Sequence, residues 1–267
     1  MEICLIGCGK MGGALLAGWQ QDTRLSAHFT VIDPFLSPAA AHASTTYLAA
    51  VSELAAGYRP DLVILAVKPQ MMADMLPSLS GLGDSETCFL SIAAGLSTAR
   101  LAAQLGRPAR WLRAMPNTPA AIGQGVSALY AAADVPEDMT ALSRRLLSAV
   151  GDVVDLPDEG LMNAVTALSG SGPAYVFLLA EAMAAAGQKL GLSADLAARL
   201  ARHTVSGAGA LMAAEPDIGA DQLRRNVTSE GGTTAAALSV LMAENGLQPL
   251  FDAALHAAEQ RGAELDS

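Results

Sequence analysis

Short apolar runs alternate with amphipathic stretches from residue 1 to about residue 157. The runs have the pattern of buried strands, and they cover residues 3–6, 29–33, 62–67, 88–92, 110–115, 125–130 and 152–155. The stretches between them have helical spacing at residues 11–20, 70–79, 98–105 and 137–150. This alternation of strands and helices predicts an α/β domain that is built on a parallel sheet.

The strand pattern stops after Pro157, and every later periodic segment has helical spacing. These segments cover residues 158–168, 174–189, 194–213, 220–226, 233–244 and 247–265. The sequence therefore predicts two domains, an α/β domain over residues 1–157 and an all-α domain over residues 158–267.

The later helices are apolar on most of their faces, as the run A-Y-V-F-L-L-A at residues 174–180 illustrates. A helical domain of this size cannot cover all of those faces by itself, and exposed apolar patches of that extent are rare on soluble monomers. We therefore expect the helices to pack against a second copy of the chain, so that the smallest assembly is a homodimer.

Composition and charge exclude several classes of protein. Hydrophobic residues make up 52% of the chain and charged residues only 16%, which excludes a disordered chain. The formal net charge of −10 argues against nucleic acid or an anionic membrane as a partner, because neutralising phosphates requires clustered Lys and Arg.

The cysteines, the amino terminus, a long apolar segment and the histidines indicate the cellular compartment and whether a metal is bound. The cysteines, Cys4, Cys8 and Cys88, are odd in number and lack metal-type spacing, which fits the reduced cytoplasm. The amino terminus starts a strand with no basic segment, so we expect no secretory signal. The apolar residues 172–187 are too few for a membrane span. The histidines share no ligand spacing, so no metal is expected.

A glycine-rich turn directly follows the first predicted strand and opens the first predicted helix. Its G-x-G-x-x-G spacing is formed by Gly7, Cys8, Gly9, Lys10, Met11 and Gly12. In this position the first Gly makes a tight turn, the second admits a pyrophosphate and the third packs helix on strand. The alternative is an ordinary glycine turn. With Asp33 at the tip of the second strand, the pattern predicts a dinucleotide site.

Asp33 leaves the choice between NADPH and NADH open. A carboxylate here accepts a hydrogen bond from the 2′-OH of NAD and repels the 2′-phosphate of NADP. Lys10 and Arg59 are basic residues that would offset this repulsion. Asp33 is equally explained as a turn residue before Pro34.

Residues suited to contact a cofactor recur after successive predicted strands, at the edge where open α/β sheets bind ligands. These candidates are Ala66, Val67, Lys68, Pro69, Ile92, Ala93, Ala94 and Asn117. Each is a weak signal alone, and Lys68 is equally well explained as a surface lysine. Their recurrence at one edge of the sheet predicts the cofactor site.

The segment V-T-S-E-G-G-T-T at residues 227–234 precedes a predicted helix and has the features of an anion site. Gly231 and Gly232 let the backbone turn closely around a ligand, and the starting helix directs N–H groups and its dipole toward it. The segment contains no Lys or Arg, so a small carboxylate fits better than a phosphate. The alternative is a helix start capped by Ser229 or Thr228.

The motifs G-C-G-K-M-G, A-V-K-P, M-P-N-T-P, S-G-S-G-P-A-Y and V-T-S-E-G-G-T-T follow one another along nearly the whole chain. In this order the chain resembles the pyrroline-5-carboxylate reductase family, and the last motif is the specific one. The family usually has T-S-P-G-G where this chain carries Glu230 in place of proline. The substitution bears on substrate affinity, and we expect the Glu230 side chain to point outward.

The resemblance implies hydride transfer from NADPH or NADH to the C=N carbon of 1-pyrroline-5-carboxylate, which gives L-proline in the last step of proline biosynthesis. It implies an N-terminal Rossmann-type dinucleotide-binding domain and a C-terminal helical dimerisation domain, interlocked in a homodimer that assembles further into a decamer. It implies catalytic roles for Thr234, nearest the ring nitrogen, and Ser229. The substrate-binding residues that it implies are Glu215, Ser229, Gly231, Gly232, Thr233 and Thr234.

The chemistry of an imine agrees with this interpretation. A hydroxy-acid dehydrogenase needs a tuned Lys or His to move a proton on and off an alcohol, and the helical half contains only Lys189, in a poor position for a base. An imine nitrogen is basic enough to need only hydroxyls, amides and positioning. Two alternatives remain, a β-hydroxy-acid dehydrogenase of similar layout and a catalytically inactive nucleotide-binding protein.

Overall fold

The computed structural model describes residues 1–35 and 42–266. Within these residues, one eight-stranded sheet occupies the first part of the chain. Its strands are β1 (Glu2–Ile6), β2 (His28–Ile32), β3 (Thr45–Leu48), β4 (Leu62–Leu65), β5 (Cys88–Ser91), β6 (Arg110–Met115), β7 (Gly125–Ala131) and β8 (Gly151–Asp155).

The strand order is β3-β2-β1-β4-β5-β6-β7-β8. Neighbouring strands are parallel except β6 and β7, which are antiparallel. Ile6 of β1 is level with Ile32 of β2 and with Leu65 of β4, so these strands end together. The loops that follow β1, β2 and β4 therefore start at the same edge of the sheet.

Helices cover both faces of this sheet. They are α1 (Lys10–Gln21), α2 (Met72–Met75), α3 (Thr98–Leu105) and α4 (Glu137–Ser148). Alternate residues of β1 enter different cores: Ile3 and Leu5 pack with Trp19 of α1, whereas Cys4 and Ile6 pack with residues of α2 and α3. This alternation follows from the two-residue period of a strand.

The described residues after β8 contain helices and no strand. The helices are α5 (Met162–Val165), α6 (Gly172–Lys189), α7 (Ala194–Ala214), α8 (Ala220–Asn226), α9 (Thr233–Leu241) and α10 (Leu247–Leu265). A single π-helical turn, Thr166–Gly170, joins α5 to the segment before α6. The predicted change from strands to helices is confirmed.

The chain packs as two compact units. Residues 1–170 and the segment from residue 258 onward form the first, and residues 171–257 form the second. The domain boundary expected after Pro157 stays a prediction, and Ser267, the end of the predicted second domain, lies outside the described residues.

The structure departs from the predicted elements at several places, and the helix expected at 158–168 is α-helical only at α5. The short edge strand β3 was not predicted, because T-T-Y-L is half-buried and lacks a continuous apolar run. Strand β7 runs antiparallel to β6, since the nine residues 116–124 between them are too few for a parallel crossover. The helix expected at 70–79 is α-helical only at α2, flanked by 3-10 turns at Pro69–Met71 and Leu76–Leu79.

Large apolar side chains are exposed on the helices of the second unit. Helices α6, α8 and α9 contain no buried residue in the single chain, and Phe177 of α6 is 68% exposed. Along residues 1–35 and 42–266, no helix is both long enough and apolar enough to cross a membrane.

Candidate cofactor and substrate sites

Gly7 and Gly12 allow the first turn of the chain to close tightly. Gly7 has φ +90°, and its N–H donates to the carbonyl of Ile32 at 2.9 Å. A Cβ at Gly7 would lie 2.7 Å from Cγ1 of Val67, and a Cβ at Gly12 would collide with the carbonyl oxygen of Gly7. Both positions therefore require glycine, as the motif predicts.

Gly9 has a different environment, because a Cβ there would meet no atom within 4 Å. It is the N-cap residue of α1, and no side chain caps this helix start. Lys10, the first residue of α1, is exposed. The opening in front of Gly9 thus combines free space with the positive end of a helix dipole, which suits a pyrophosphate.

Both carboxylate oxygens of Asp33 accept hydrogen bonds from the backbone. Oδ2 accepts from the N–H of Cys8 at 2.7 Å, and Oδ1 accepts from the N–H of Phe35 at 2.8 Å. The second bond makes Asp33 a turn residue, and the first ties it to the glycine-rich loop. Burial, followed by the charge of Asp33, raises the pKa of the Cys8 thiol.

Arg59 cannot offset the charge of Asp33, so this expectation is wrong. Arg59 precedes the amino end of β4, whereas Asp33 follows the carboxyl end of β2, and the two strands run parallel through β1. The Arg59 guanidinium pairs instead with Asp84 at 3.0 Å. Of the two basic residues considered, only Lys10 lies on the edge where Asp33 lies.

The residues that follow β4 and β5 line the same edge as the glycine-rich loop. The N–H of Ala66 donates to Ile6 at 2.8 Å, and that of Ile92 donates to Leu65 at 3.1 Å. A Cβ at Gly12 would lie 3.2 Å from Cβ of Ala66, so the motif after β4 contacts the glycine-rich loop. Ala93 is buried; Val67, Pro69 and Ala94 are half-buried, and Lys68 is exposed.

The Asn117 side chain connects two of the motifs. Its Oδ1 accepts from the N–H of Val126 at 3.0 Å, and its Nδ2 donates to the carbonyl oxygen and to Oγ of Ser169 at 3.4 Å. The adjacent Gly170 packs so closely on Met115 that a Cβ there would collide with Cε. The structure thus brings the loop after β6 together with the π-helical turn, a location where helix irregularities often serve function.

A buried ion pair was not predicted. The Arg113 side chain, 6% exposed in the middle of β6, pairs with Glu159 at 2.7 Å. The carboxylate of Glu159 also accepts from the N–H and from the hydroxyl of Thr98, both at 2.7 Å. The available sequence signal was the second arginine of the strand R-W-L-R-A-M, which stands between apolar residues, because a buried guanidinium needs a partner.

The segment 229–234, called here the carboxylate clamp after the role that the sequence predicts for it, forms the start of α9. Gly231 has φ +69°, and the N–H of Gly232 donates to the carbonyl of Ser229 at 3.1 Å. A Cβ at Gly232 would lie 2.5 Å from Oγ of Ser229. Gly232 is the N-cap residue of α9, Thr233 is exposed and Thr234 is half-buried.

No side chain caps this helix, so the alternative of a helix start capped by Ser229 or Thr228 is wrong. The hydroxyl of Thr228 donates instead to the carbonyl of Arg224 at 2.6 Å. The N–H groups at the start of α9 are therefore left for another acceptor, as an anion site requires.

The acidic residues Glu215 and Glu230 are both exposed. The exposure of Glu230 is compatible with a side chain that points outward, and the effect of this residue on substrate affinity stays a prediction. Glu215 follows the end of α7 and bonds to its neighbours through its backbone. Among the residues that the structure describes, no three or more His, Cys, Asp or Glu side chains are grouped to hold a metal ion.

Family models match both parts of the chain. One described as "NADP oxidoreductase coenzyme F420-dependent" matches residues 2–95, and one described as "Pyrroline-5-carboxylate reductase dimerisation" matches residues 159–265. With the glycine-rich loop and the sheet edge, these matches define an oxidoreductase with an NADP-binding Rossmann domain and a helical dimerisation domain.

Several known proteins are similar to this chain over nearly its whole length. Pyrroline-5-carboxylate reductase of Pseudomonas aeruginosa is 44% identical over 99% of this chain and 96% of its own length. The structure of a pyrroline-5-carboxylate reductase from Coxiella burnetii has a TM-score of 0.86 at 34% identity and covers 99% of this chain and 98% of that one. A Plasmodium falciparum pyrroline carboxylate reductase with NADP bound has a TM-score of 0.78 at 27% identity, covering 100% and 98%. This chain belongs to the pyrroline-5-carboxylate reductase family.

Proposed function

We propose that this chain acts as a pyrroline-5-carboxylate reductase in which the first unit binds the cofactor and the second unit binds the substrate. The reaction is the NAD(P)H-dependent reduction of 1-pyrroline-5-carboxylate to L-proline, the last step of proline biosynthesis. The glycine-rich loop and the sheet edge hold the cofactor, and the carboxylate clamp holds the substrate. The uncapped start of α9, with its hydroxyls and without a basic side chain, carries this proposal.

The glycine-rich loop fits a dinucleotide. The open space at Gly9 and the uncapped start of α1 suit a pyrophosphate, and the close approach of Gly7 to Gly12 keeps the loop compact. Asp33 faces the adenosine ribose, while Ile92, Ala93, Ala94 and the segment 66–69 lie beyond it along the edge. A bound NAD(P)H supplies the hydride.

The clamp binds the substrate carboxylate through backbone N–H groups and hydroxyls. Gly231, Gly232 and Thr233 contribute the turn and the helix start, and Ser229 contributes a hydroxyl. Thr234 lies nearest the ring nitrogen and donates a hydrogen bond to it as the imine becomes an amine. Glu215 acts as an acid near the same nitrogen.

The residues of the helical unit favour an imine over a hydroxy acid. Oxidation of an alcohol requires a positioned base, but Lys189 ends α6 and is exposed, and His203 is exposed on α7. Reduction of a protonated imine requires only orientation and hydrogen bonds, which the clamp provides. The β-hydroxy-acid alternative is therefore not favoured.

The cofactor preference follows from the position of Asp33. Its two backbone hydrogen bonds hold the carboxylate in place, so it cannot turn away from a 2′-phosphate. We propose that Asp33 lowers the selectivity of this chain for NADPH over NADH.

We further propose that the homodimer assembles into a decamer in the cytoplasm. The exposed apolar side chains of α6, including Phe177 and Leu178, supply surface for the dimer. Cys4, Cys8 and Cys88 are free thiols, which fits a reducing compartment. We propose that the domain boundary lies after Pro157.

Substitution of Thr234 tests the clamp. Thr234→Ala removes one preorganised donor and should lower kcat/KM for 1-pyrroline-5-carboxylate on the order of 10²-fold, with unchanged cofactor affinity. Ser239→Ala is the matched control, because the Ser239 hydroxyl on the same helix donates to the carbonyl of Ala236. Wild-type kcat/KM in Thr234→Ala would refute the assignment.

A further inference from the structure

The turn between β5 and α3 is held by residues that are distant in sequence. This turn, residues 92–97, starts with the proposed cofactor contacts Ile92, Ala93 and Ala94 and continues through Gly95, which has φ +71°. Inside the turn the N–H of Ala93 donates to Oγ of Ser91 at 3.3 Å. The end of the turn that leads into α3 is held by residues from other parts of the chain.

Two carboxylates bind the N–H groups at the junction of the turn with α3. Oδ1 of Asp266 accepts from the N–H of Ser97 at 2.7 Å, and Oε1 of Glu159 accepts from the N–H of Thr98 at 2.7 Å. Both bonds are short and charge-assisted, and both acceptors lie at the positive end of the α3 dipole. Glu159 is in turn fixed by its ion pair with Arg113.

Apolar contact reinforces the bond from Asp266. A Cβ at Gly95 would lie 2.6 Å from Cβ of Leu265 and 3.2 Å from the carbonyl oxygen of Gly262, so the end of α10 lies directly on the turn. On its other side, a Cβ at Gly262 would lie 2.9 Å from Oδ1 of Asn163. Residues 262–266 are therefore packed tightly between the turn and Asn163.

We infer that Asp266, with Leu265 packed on Gly95, is a positioning residue that fixes the turn after β5 in the conformation needed by the cofactor. The inference rests on the proposed contacts of Ile92, Ala93 and Ala94. Gly95 and Ser97 follow these residues directly, so movement at the anchored end of the turn displaces their backbone. Asp266 acts through the turn and touches neither substrate nor cofactor.

Substitution of Asp266 tests the inference through cofactor binding without substrate. Asp266→Ala should raise the Kd for NADPH by up to about tenfold, the value reached if loss of this hydrogen bond leaves the free turn in its cofactor-binding conformation about a tenth of the time, and should raise the cofactor KM while kcat changes little. Asp266→Asn retains an oxygen acceptor and should recover most of the affinity. Arg261→Ala is the control on the same helix, because Arg261 pairs with Glu264 on the surface.

Hydrogen exchange of the cofactor-free protein provides an independent readout. In Asp266→Ala the amides of Ser97 and Thr98 should exchange faster than in wild type, while strand β5 stays protected. Unchanged exchange, or faster exchange with wild-type NADPH affinity, would overturn the inference. A failure of the proposed function would look different from a failure of this inference. In that case the wild-type protein would make no proline, whatever the conformation of the turn.

Discussion

Gly9 and Gly13 provide a matched pair of positions that separates cofactor binding from folding. Gly9 has φ −67° and ψ −158°, at the edge of the extended region and with a negative φ, and a methyl there would meet no atom within 4 Å. A methyl at Gly13 would lie 3.5 Å from the carbonyl oxygen of Cys8, an ordinary contact. Neither substitution should damage the fold, but only the first adds atoms where we propose that the pyrophosphate binds.

The expected change in the Kd for NADPH follows from the hydrogen bonds to the pyrophosphate that the added methyl prevents. In Gly9→Ala the added methyl keeps the pyrophosphate from the N–H groups at the start of α1, which removes at least one charge-assisted hydrogen bond, about 1.5–3 kcal/mol. The Kd for NADPH should therefore rise by about 10- to 150-fold. Gly13→Ala should bind NADPH as wild type does and gain up to about 1 kcal/mol of helix stability.

Two measurements check this pair. Calorimetric titration gives the Kd for NADPH, and thermal unfolding without cofactor gives Tm. Without cofactor, Gly9→Ala should have the wild-type Tm. Adding NADPH should raise the Tm of the wild type, because the ligand binds only the folded protein, but should raise the Tm of Gly9→Ala much less. Wild-type affinity in Gly9→Ala, or a large loss of Tm in that variant, would refute the assignment of the glycine-rich loop.

Asp33→Ser should raise the ratio of kcat/KM for NADPH to that for NADH in steady-state kinetics, and an unchanged ratio would leave Asp33 as a turn residue only. Leu179→Glu places an unpaired charge on α6, which should abolish dimer and activity together in sedimentation and assay; an active dimer would contradict this. Burial raises the pKa of Cys4 to about 12 and of Cys88 to about 11, so iodoacetamide at pH 8 should modify the less buried Cys8 first, and NADPH should slow that reaction; equal rates at all three would count against it.

Local signals in the sequence were enough to predict most helices and strands and the glycine-rich loop. The loop was predictable because its three glycines fall within six residues of chain: Gly7 and Gly12 each avoid a collision, and Gly9 leaves the space in front of the helix start open. The helix start at Gly232 was predictable for the same reason, but its freedom from capping was not, because the hydroxyl of Thr228 has a competing acceptor in Arg224.

Contacts between distant residues explain what was missed. Asp33 binds the N–H of Cys8, Glu159 binds Arg113 and Asp266 binds Ser97, and no local pattern marks any of these pairs. The mistake about Arg59 is different, because its place before β4 already put it at the opposite edge of a parallel sheet from Asp33. Sequence spacing alone did not reveal that Asp84 was its partner.

The central claim is tested most directly by incubating the purified protein with 1-pyrroline-5-carboxylate and NADPH or NADH, and measuring L-proline together with cofactor oxidation. We predict one L-proline for each cofactor oxidised, with no oxidation of β-hydroxy acids by NAD or NADP. Oxidation of a β-hydroxy acid without proline formation would contradict the account, as would tight NADPH binding with no turnover of any cyclic imine.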